Sequence, residues 1–180
     1  TEHGRYFLDW SMDDINFGEF SSVFRKGVED HEGSFWGRLQ IEGILGRKNL
    51  ETMQGDGAIS IRGGKVFLIP VFGGLSEVLT RIVPGLDFVL RQTDVKTDFS
   101  IGDGVIQSDH IRIEGDVLSL SGHGRYFMNQ DLDFDVQIKL MKEHTLVAKI
   151  LRALTYPVSK LLEFRLTGTL EKPVWYPVNF

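Results

Sequence analysis

Apolar and polar residues alternate along several stretches of this chain, and that period of two is the strongest constraint on what it can fold into. From Phe35 to Gly43, small or apolar residues occupy every second position, with mostly polar residues between them. The same alternation recurs over 94–101, 131–140 and 163–171. Because successive side chains of a β-strand point to opposite faces of the sheet, each stretch predicts a strand with one apolar and one wet face.

Short turn sequences separate these strands. Three pairs supply the positive φ angles that two-residue hairpins require, namely Gly63-Gly64, Asp103-Gly104 and Gly115-Asp116. Asn129-Gln130 is a weaker turn candidate before the strand that begins near Asp131. We therefore predict a mainly β fold, an antiparallel meander of amphipathic strands that forms a curved sheet or groove.

Three stretches change to the helical period and predict about three short helices over one face of the sheet. Asn16 can cap a helix near 17–26, because Glu19 follows three residues later. Leu75–Val83 repeats its apolar residues at helical spacing until Pro84 ends the pattern. The third stretch covers 146–162, where Pro157 predicts a kink or two shorter helices.

The third stretch has a second interpretation, because basic residues surround its apolar stripe. These are Lys142, Lys149, Arg152 and Lys160. A basic amphipathic helix can lie on a membrane surface. We favour a helix that packs its stripe on the sheet and leaves the cations in water.

Charge and composition exclude several classes of function. The chain carries 25 acidic residues against 20 lysines and arginines, a net charge of −5, which disfavours nucleic acid as a partner. It has no cysteine, so disulfides, thiol nucleophiles and thiolate metal sites are absent. The longest near-continuous apolar run, Val66 to Leu75, is about half the ~20 residues that a bilayer requires. We expect 1–180 to form a single domain cut from a longer protein, since it opens on Thr1.

Three spaced acids, Asp131, Asp133 and Asp135, suggest a cation site, because spaced carboxylates hold calcium. An EF-hand-type loop needs a glycine after the third acid and a glutamate further on. Here Leu132 and Phe134 interleave with the acids as the buried side of a strand would. We therefore assign the three acids to a solvated face.

Five histidines are the remaining candidates for metal or acid–base chemistry: His3, His31, His110, His123 and His144. None stands four residues from another, as a helical zinc pair requires, and no nucleophile elbow surrounds a serine. Histidine as a general base through tertiary proximity stays open, so a hydrolase on a β scaffold is one alternative. Our expectation is a protein without catalytic residues, metal ligands or cofactor.

Several segments together resemble a known family. They are GSFWGRLQIEG at 33–43, GDGAISIRGG at 55–64, the helical 75–83, FSIGDGVI at 99–106, LSLSGHG at 118–124, LDFDV at 132–136 and LTGTLEKP at 166–173. Their order resembles the AsmA-like C-terminal region family of bacterial envelope proteins, which includes the TamB-like proteins. The resemblance spans nearly the whole chain and is weakest over the first ~30 residues.

The resemblance implies a periplasmic protein that an N-terminal helix, absent from this chain, anchors in the inner membrane. It implies an elongated, apolar-lined β groove that conducts phospholipid towards the outer membrane. The family has no catalytic residues to carry over. On this basis the chain is expected to be a C-terminal fragment of such a protein, and its partners are phospholipid, the rest of the parent chain and other envelope proteins.

The residues lead to a similar expectation independently of the resemblance. A sheet of many strands has an apolar face that a few short helices cannot cover. It must curl on itself, stack on another sheet or accept an apolar ligand. The residues expected to contact an acyl chain are Leu39, Ile41, Ile59, Ile61, Phe99, Ile101, Phe134 and Leu166. A non-enzymatic lipid-handling module is thus the favoured function. A structural β domain that pairs through an edge strand, without bound lipid, is the alternative.

Overall fold

Nine antiparallel strands follow one another in chain order across a single open sheet. The computed structural model describes residues 4–22, 33–46, 49–66, 70–72, 74–82, 93–115, 118–140 and 161–178. The strands are β1 Arg5–Asn16, β2 Ser34–Ile44, β3 Gln54–Gly64, β4 Thr93–Gly102, β5 Val105–Gly115, β6 Leu118–Phe127, β7 Leu132–Leu140, β8 Leu161–Gly168 and β9 Pro173–Pro177. The helices are α1 Phe17–Ser22, α2 Asn49–Thr52 and α3 Leu75–Ile82, with a 3-10 turn at Pro70–Phe72. The predicted antiparallel meander with short helices is confirmed.

Two of the predicted turns are confirmed by their backbone geometry. Asp103 and Gly104 join β4 to β5 with φ angles of 51° and 73°, as a two-residue hairpin with both φ positive requires. Between β6 and β7, the Asn129 side-chain carbonyl accepts a hydrogen bond from the Asp131 N–H at 3.1 Å. Gln130 in the same connection has a φ of 79°.

The turn predicted at Gly63-Gly64 is wrong. Both glycines lie in the last residues of β3, and residues 65–92 separate them from β4. Gly63 has a φ of 61°, but it lies at a break in the β3–β4 register, where it forms a bulge instead of a hairpin. A Cβ on Gly64 would lie 2.8 Å from Phe17 Cδ1 of α1, so close packing explains the second glycine. The Gly115-Asp116 prediction lies partly outside the described residues.

The first two helix predictions agree with the structure. The Glu19 N–H donates a hydrogen bond of 3.0 Å to Asn16 Oδ1, which confirms the predicted N-cap of α1. The predicted extension of this helix to residue 26 lies beyond the described residues. Helix α3 spans Leu75–Ile82, and Val83, the predicted last residue, lies outside the described residues. Among the described residues, no helix has the length and apolarity needed to cross a membrane.

The third helix prediction is wrong at its end and otherwise lies outside the described residues. Leu161 and Leu162 belong to β8, where Leu162 pairs with Ile138 of β7 and is fully buried. Apolar residues four apart also fit a strand's period of two, which is why the pattern misassigned these residues. The four-residue helix α2 was not predicted.

Buried side chains from seven strands form one continuous line across the apolar face, which we call the core row. Each member pairs directly with the next: Phe35, Ile61, Val95, Ile113, Leu120, Ile138 and Leu162. Leu75 and Leu79 of α3 belong to the same buried cluster. The Phe20 ring of α1 stacks on Phe35 with centroids 4.4 Å apart. Helices α1 and α3 therefore pack over this part of the sheet.

A tertiary hydrogen bond fastens the last strand to this core. The Trp175 indole N–H of β9 donates to the Val71 carbonyl of the 3-10 turn at 3.2 Å. The Trp175 ring also meets Phe164 edge to face, with centroids 6.4 Å apart. Both rings are buried, so the edge strand β9 is held by aromatic packing as well as by its pairing with β8.

Replacing Phe164 by alanine should lower the free energy of unfolding by about 3–5 kcal/mol, because it empties a buried aromatic site. Tyr176→Ala, at an exposed aromatic residue of β9, is the matched control and should change it by about 0.5 kcal/mol or less. Urea denaturation measures both values. A loss below about 1 kcal/mol for Phe164→Ala would contradict the assignment of strand faces.

Candidate functional site

All eight residues predicted to contact lipid lie on the face of the sheet that carries the core row. Ile61 belongs to that row, and Ile59 is two residues from it on the same face of β3. Leu39 and Phe99 both pair with Gly57, which lies between them, and Phe134 pairs with Leu166. Ile41 and Ile101 both pair with Gly55. The prediction that the eight share one face is therefore supported by the register.

The eight residues differ in burial. Ile61, Ile101 and Leu166 are buried, whereas the other five are half-buried: Leu39, Ile41, Ile59, Phe99 and Phe134. Ile61 and Leu166 belong to the buried cluster that includes the leucines of α3. Part of the predicted site is thus ordinary protein core, and Ile59 and Phe134 pack against that core. Leu39, Ile41 and Phe99 are the half-buried residues outside the described cluster and its packed neighbours.

A second apolar line crosses the sheet near its hairpin turns, and we call it the turn-end row. Its members pair in the order Leu8, Ile41, Gly55, Ile101, Ile106, Tyr126 and Leu132. Sequence reasoning identified two of them, Ile41 and Ile101. It missed Ile106 and Tyr126, because β5 and β6 were recognised from turns and not from their own alternation. Ile41, Ile101 and Ile106 stand outside the described buried cluster to which α3 contributes.

Between the two rows, phenylalanine rings lie over glycines. Phe99 is directly opposite Gly57, and a Cβ built on Gly57 would collide with the Phe99 ring. Phe134 is directly opposite Gly124, where a Cβ would lie 2.6 Å from Phe134 Cδ1. Each ring therefore covers its cross-strand glycine instead of standing upright on the sheet. The apolar face between the two rows is therefore shallow, and we call it, together with the turn-end row, the apolar floor.

The opposite face is polar and concave, and it holds a groove of about 780 Å³. The charged, imidazole and aromatic residues that line it are Trp36, Lys96, Asp98, Asp109, His110, Arg112, His123, Asp135, Glu163 and Phe164. An extra residue in β5 interrupts the register near Asp109 and His110, and both residues line the groove. The groove expected from sequence was apolar, and this groove of the polar face is a different surface, lined by other residues except Ile59.

The polar groove brings together an acid, an imidazole and a hydroxyl, so it bears on the hydrolase alternative. His123 Nε2 lies 3.7 Å from Asp135 Oδ2. Ser121 is two residues before His123 on the same face of β6, a separation of about 6.8 Å along a strand. No hydrogen bond joins Ser121 to His123, although a general base must reach its proton donor at about 2.6–3.2 Å. No group of three or more metal-binding side chains occurs in the described part of the chain.

An ion-pair network crosses the polar face beside this groove. Asp133 of β7 accepts hydrogen bonds from Arg165 at 2.8 Å and from Arg125 at 3.0 Å. The hydrogen bond from Arg165, followed by that from Arg125, lowers the pKa of the Asp133 carboxyl, and burial opposes this shift. The same contact raises the pKa of Arg165. The network connects β6, β7 and β8.

The network also corrects the assignment of the three spaced acids. Asp131 and Asp135 are exposed, as predicted for a solvated face. Asp133 is half-buried between two arginines, so it is part of the sheet's cross-strand contacts. The arginines could not be assigned to it from sequence, because Arg125 and Arg165 lie on different strands.

Comparison with protein-family models, curated proteins and solved structures finds no match to this chain. Membership of the AsmA-like family therefore stays a prediction. What the protein does must be argued from the two faces of the sheet.

Asp133→Asn should lower the melting temperature at pH 7 by no more than about 4 °C, since partly exposed ion pairs contribute little. A carboxyl whose pKa is lowered by folding stabilises the folded protein at pH values above its pKa in the unfolded chain, near 3.9. It loses that contribution as the pH falls through its pKa in the folded protein. The difference between wild type and variant should therefore be constant from pH 7 to about 5 and shrink below pH 4.

Thermal melts across this pH range measure the effect. Asp98→Asn is the control, because Asp98 is exposed and makes no ion pair in the described part of the chain. A difference for Asp133→Asn that persists unchanged at the lowest pH would contradict the ion-pair assignment.

Proposed function

We propose that this chain is a non-enzymatic lipid-handling module of a bacterial envelope protein of the AsmA-like group, and that its apolar face holds an acyl chain of phospholipid. One observation carries the proposal: the apolar face continues beyond the helix-covered core row to the turn-end row. There Ile41, Ile106 and Tyr126 are half-exposed, and Leu8 is 47% exposed. Uncovered apolar side chains forfeit burial that an acyl chain would supply.

The length of the turn-end row suits such a ligand. Leu132 at its β7 end belongs to the buried cluster, so the usable part crosses the six strands β1 to β6, and five intervals of about 4.8 Å give roughly 24 Å along the curved sheet. One acyl chain spans about half of a ~30 Å hydrocarbon core. The row is therefore long enough for a whole chain lying across the strands.

The expected affinity for an acyl chain is modest, which suits a protein that exchanges lipid and not one that stores it permanently. A 14-carbon chain that inserts fully into a bilayer associates with a constant of only about 10⁴ M⁻¹. A shallow floor covers one side of such a chain, so binding should be weaker and readily reversible. A module that exchanges phospholipid with a membrane needs this property.

The family resemblance supports the same function and suggests the location. The segments that carry it follow structural elements: 34–43 lies in β2 with Gly33 just before it, 55–64 lies in β3, and 99–106 spans the β4–β5 hairpin. On this proposal the parent protein is anchored in the inner membrane, and this module works in the periplasm. Its ligand is phospholipid, and the envelope proteins around it are its partners.

Phe99→Asp should lower the amount of phospholipid that accompanies the protein. A carboxylate on the apolar floor must be desolvated or protonated beside an acyl chain, which costs several kcal/mol. Mass spectrometry of an organic extract, from protein prepared without detergent, measures the lipid. Val174→Asp is the control, because it adds the same charge at an exposed apolar residue of β9. Ile61 is a poor probe, since its burial in the core row would cause unfolding.

A thermal melt accompanies each preparation, and Ile106→Ser replaces Phe99→Asp if the latter unfolds. Equal lipid in wild type, the folded floor variant and Val174→Asp would contradict the proposed site. Wild-type protein that carries no lipid, and whose tryptophan fluorescence ignores added dihexanoylphosphatidylcholine, would contradict the function.

A structural role through an edge strand is the second candidate, and the two edges of the sheet favour it. Strand β9 has 5 residues and contains Pro173 and Pro177, which lack the N–H needed to extend a sheet. Strand β1 has 12 residues and no proline. Within the described residues nothing pairs with its outer side. Strand β1 is therefore the edge on which another strand can add.

Hydrogen exchange distinguishes this candidate. In an antiparallel edge strand, alternate N–H groups point away from the sheet, so half of the β1 amides should exchange quickly in this 180-residue chain. If a further strand pairs with β1 in the intact parent protein, those same amides should become protected there. Equal exchange of the outward amides in both would contradict strand addition.

A further inference from the structure

Seven side chains form a continuous line along the floor of the polar groove, and we call this line the polar row. Each residue of the polar row is the chain neighbour of one residue of the core row, so its side chain points to the opposite face of the sheet. Each pairs directly with the next, and all of them line the groove: Trp36, Ser60, Lys96, Arg112, Ser121, Gln137 and Glu163. The groove therefore runs across the strands from β2 to β8.

The shape of the groove suits an elongated ligand. Six intervals between the strands, of about 4.8 Å each, give roughly 29 Å along the curved sheet. Each strand from β2 to β8 is paired on both sides, so no sheet edge is open to a further strand within the groove. A ligand that lies there must be recognised by side chains.

Hydrogen-bond donors and acceptors lie close together in the middle of the groove. Lys96 and Arg112 are directly opposite each other, and both side chains offer only donors. Asp98 lies two residues from Lys96 on the same face of β4, about 6.8 Å along the strand, and its carboxylate offers only acceptors. The Lys96 ammonium and the Asp98 carboxylate form no hydrogen bond or ion pair with any described side chain. Both groups are therefore available to a ligand.

The two opposed cations are unfavourable for the fold by themselves, because like charges directly opposite each other in an antiparallel pair are destabilising. Arg112 has Glu114 at 3.8 Å, but both side chains are mostly exposed, so this ion pair contributes little. Local choices that oppose the fold are typical of functional sites. A ligand that accepts hydrogen bonds from both cations would account for the arrangement.

The charge of the groove favours a neutral ligand. Its lining residues include two cations, a lysine and an arginine, and four carboxylates, so its net charge is 2 − 4 = −2 with neutral histidines. This charge repels polyanions such as nucleic acid, and the two cations at the centre of the floor repel a polycation. On β4 to β7, the described side chains that point into the groove are polar or charged, whereas bound peptides are anchored by apolar side chains in pockets.

A polyhydroxylated ligand meets these conditions. A hydroxyl donates one hydrogen bond and accepts two, so a sugar ring between Lys96 and Asp98 can accept from the ammonium and donate to the carboxylate. Ser121 and Gln137 add groups that both donate and accept. At the β2 end, the Trp36 ring is 38% exposed and offers a flat apolar surface to the C–H groups of a sugar ring.

We propose that the polar groove binds a neutral, linear oligosaccharide whose sugar rings follow the polar row across the strands. Trp36 stacks on one ring, and Lys96 and Asp98 hold the hydroxyls of another. This binding site does not depend on the lipid-handling function, because the groove lies on the face of the sheet opposite the apolar floor.

Isothermal titration calorimetry with three linear hexasaccharides, cellohexaose, chitohexaose and maltohexaose, tests the proposal. Wild-type protein should bind at least one of them. Lys96→Met keeps the length of the side chain but removes its charged donor, so it should bind that sugar at least about tenfold more weakly. Lys172→Met is the matched control, because Lys172 is exposed in the β8–β9 turn, outside the groove. It should bind like wild type.

A second variant tests the aromatic surface. Trp36→Ala should weaken binding about three- to tenfold, whereas Tyr176→Ala, at an exposed aromatic residue outside the groove, should leave it unchanged. The sugar should also change the tryptophan emission of wild type, and Trp36→Phe should remove that change. Thermal melts show that each variant is folded, and Asp98→Asn replaces Trp36→Ala if the latter unfolds.

Wild type that binds none of the three hexasaccharides would overturn the proposal and favour a protein partner for the groove. Binding that neither Lys96→Met nor the second folded variant weakens would overturn it as well, since the sugar would then lie elsewhere. Tighter binding of a heparin hexasaccharide than of any neutral one would contradict the assignment of a neutral ligand.

The outcomes also separate this inference from the lipid-handling function. Lys96→Met should still carry phospholipid on extraction, and folded Phe99→Asp should still bind the hexasaccharide. If wild type carries lipid but binds no hexasaccharide, the function stands and the groove proposal fails. If wild type binds a hexasaccharide through Lys96 but never carries lipid, the groove proposal stands and the function fails.

Discussion

The rest of this structure depends on one band of apolar contacts, the core row that runs in register from β2 to β8. Directly paired side chains in antiparallel strands lie about 4.5–5.5 Å apart, so each inner member of the row buries apolar area against two neighbours. A slip of one residue in any strand would turn its member to the wet face. Helices α1 and α3 both join the cluster that includes this row, and the aromatic pair of Phe164 and Trp175 connects the last strand to it.

Because helices α1 and α3 pack over the core row, the two faces and the two ends of the sheet differ in what covers them. The apolar face continues to the turn-end row as a floor on which Phe99 and Phe134 cover cross-strand glycines. The polar face is concave and is braced by Asp133 between two arginines. The long edge strand β1 lies at the side of the sheet farthest from β9. The two functions proposed for the sheet therefore use apolar or backbone groups that lie outside the core row.

Local chemistry explains which features were predictable from sequence. Asp103-Gly104 forms its hairpin because both residues accept a positive φ, and Asn16 caps α1 because its side chain reaches the N–H of a residue three positions later. Gly63-Gly64 has similar local chemistry but does not form a hairpin. Gly63 lies in a bulge of β3, and Gly64 gives room to Phe17 of α1, which is distant in sequence. The partners of Asp133 were not predictable for the same reason, since they come from neighbouring strands.

The sequence by itself determined the period of two, and with it the face on which each strand residue lies. That is why all eight predicted lipid-contacting residues occur on one side of the sheet. Only the tertiary structure decided which of them are core and which remain half-exposed. Ile61, for example, is buried, whereas Ile41 is half-exposed. Burial depends on where α1 and α3 pack, and long-range contacts decide that position. The alternation of neighbouring residues does not encode it.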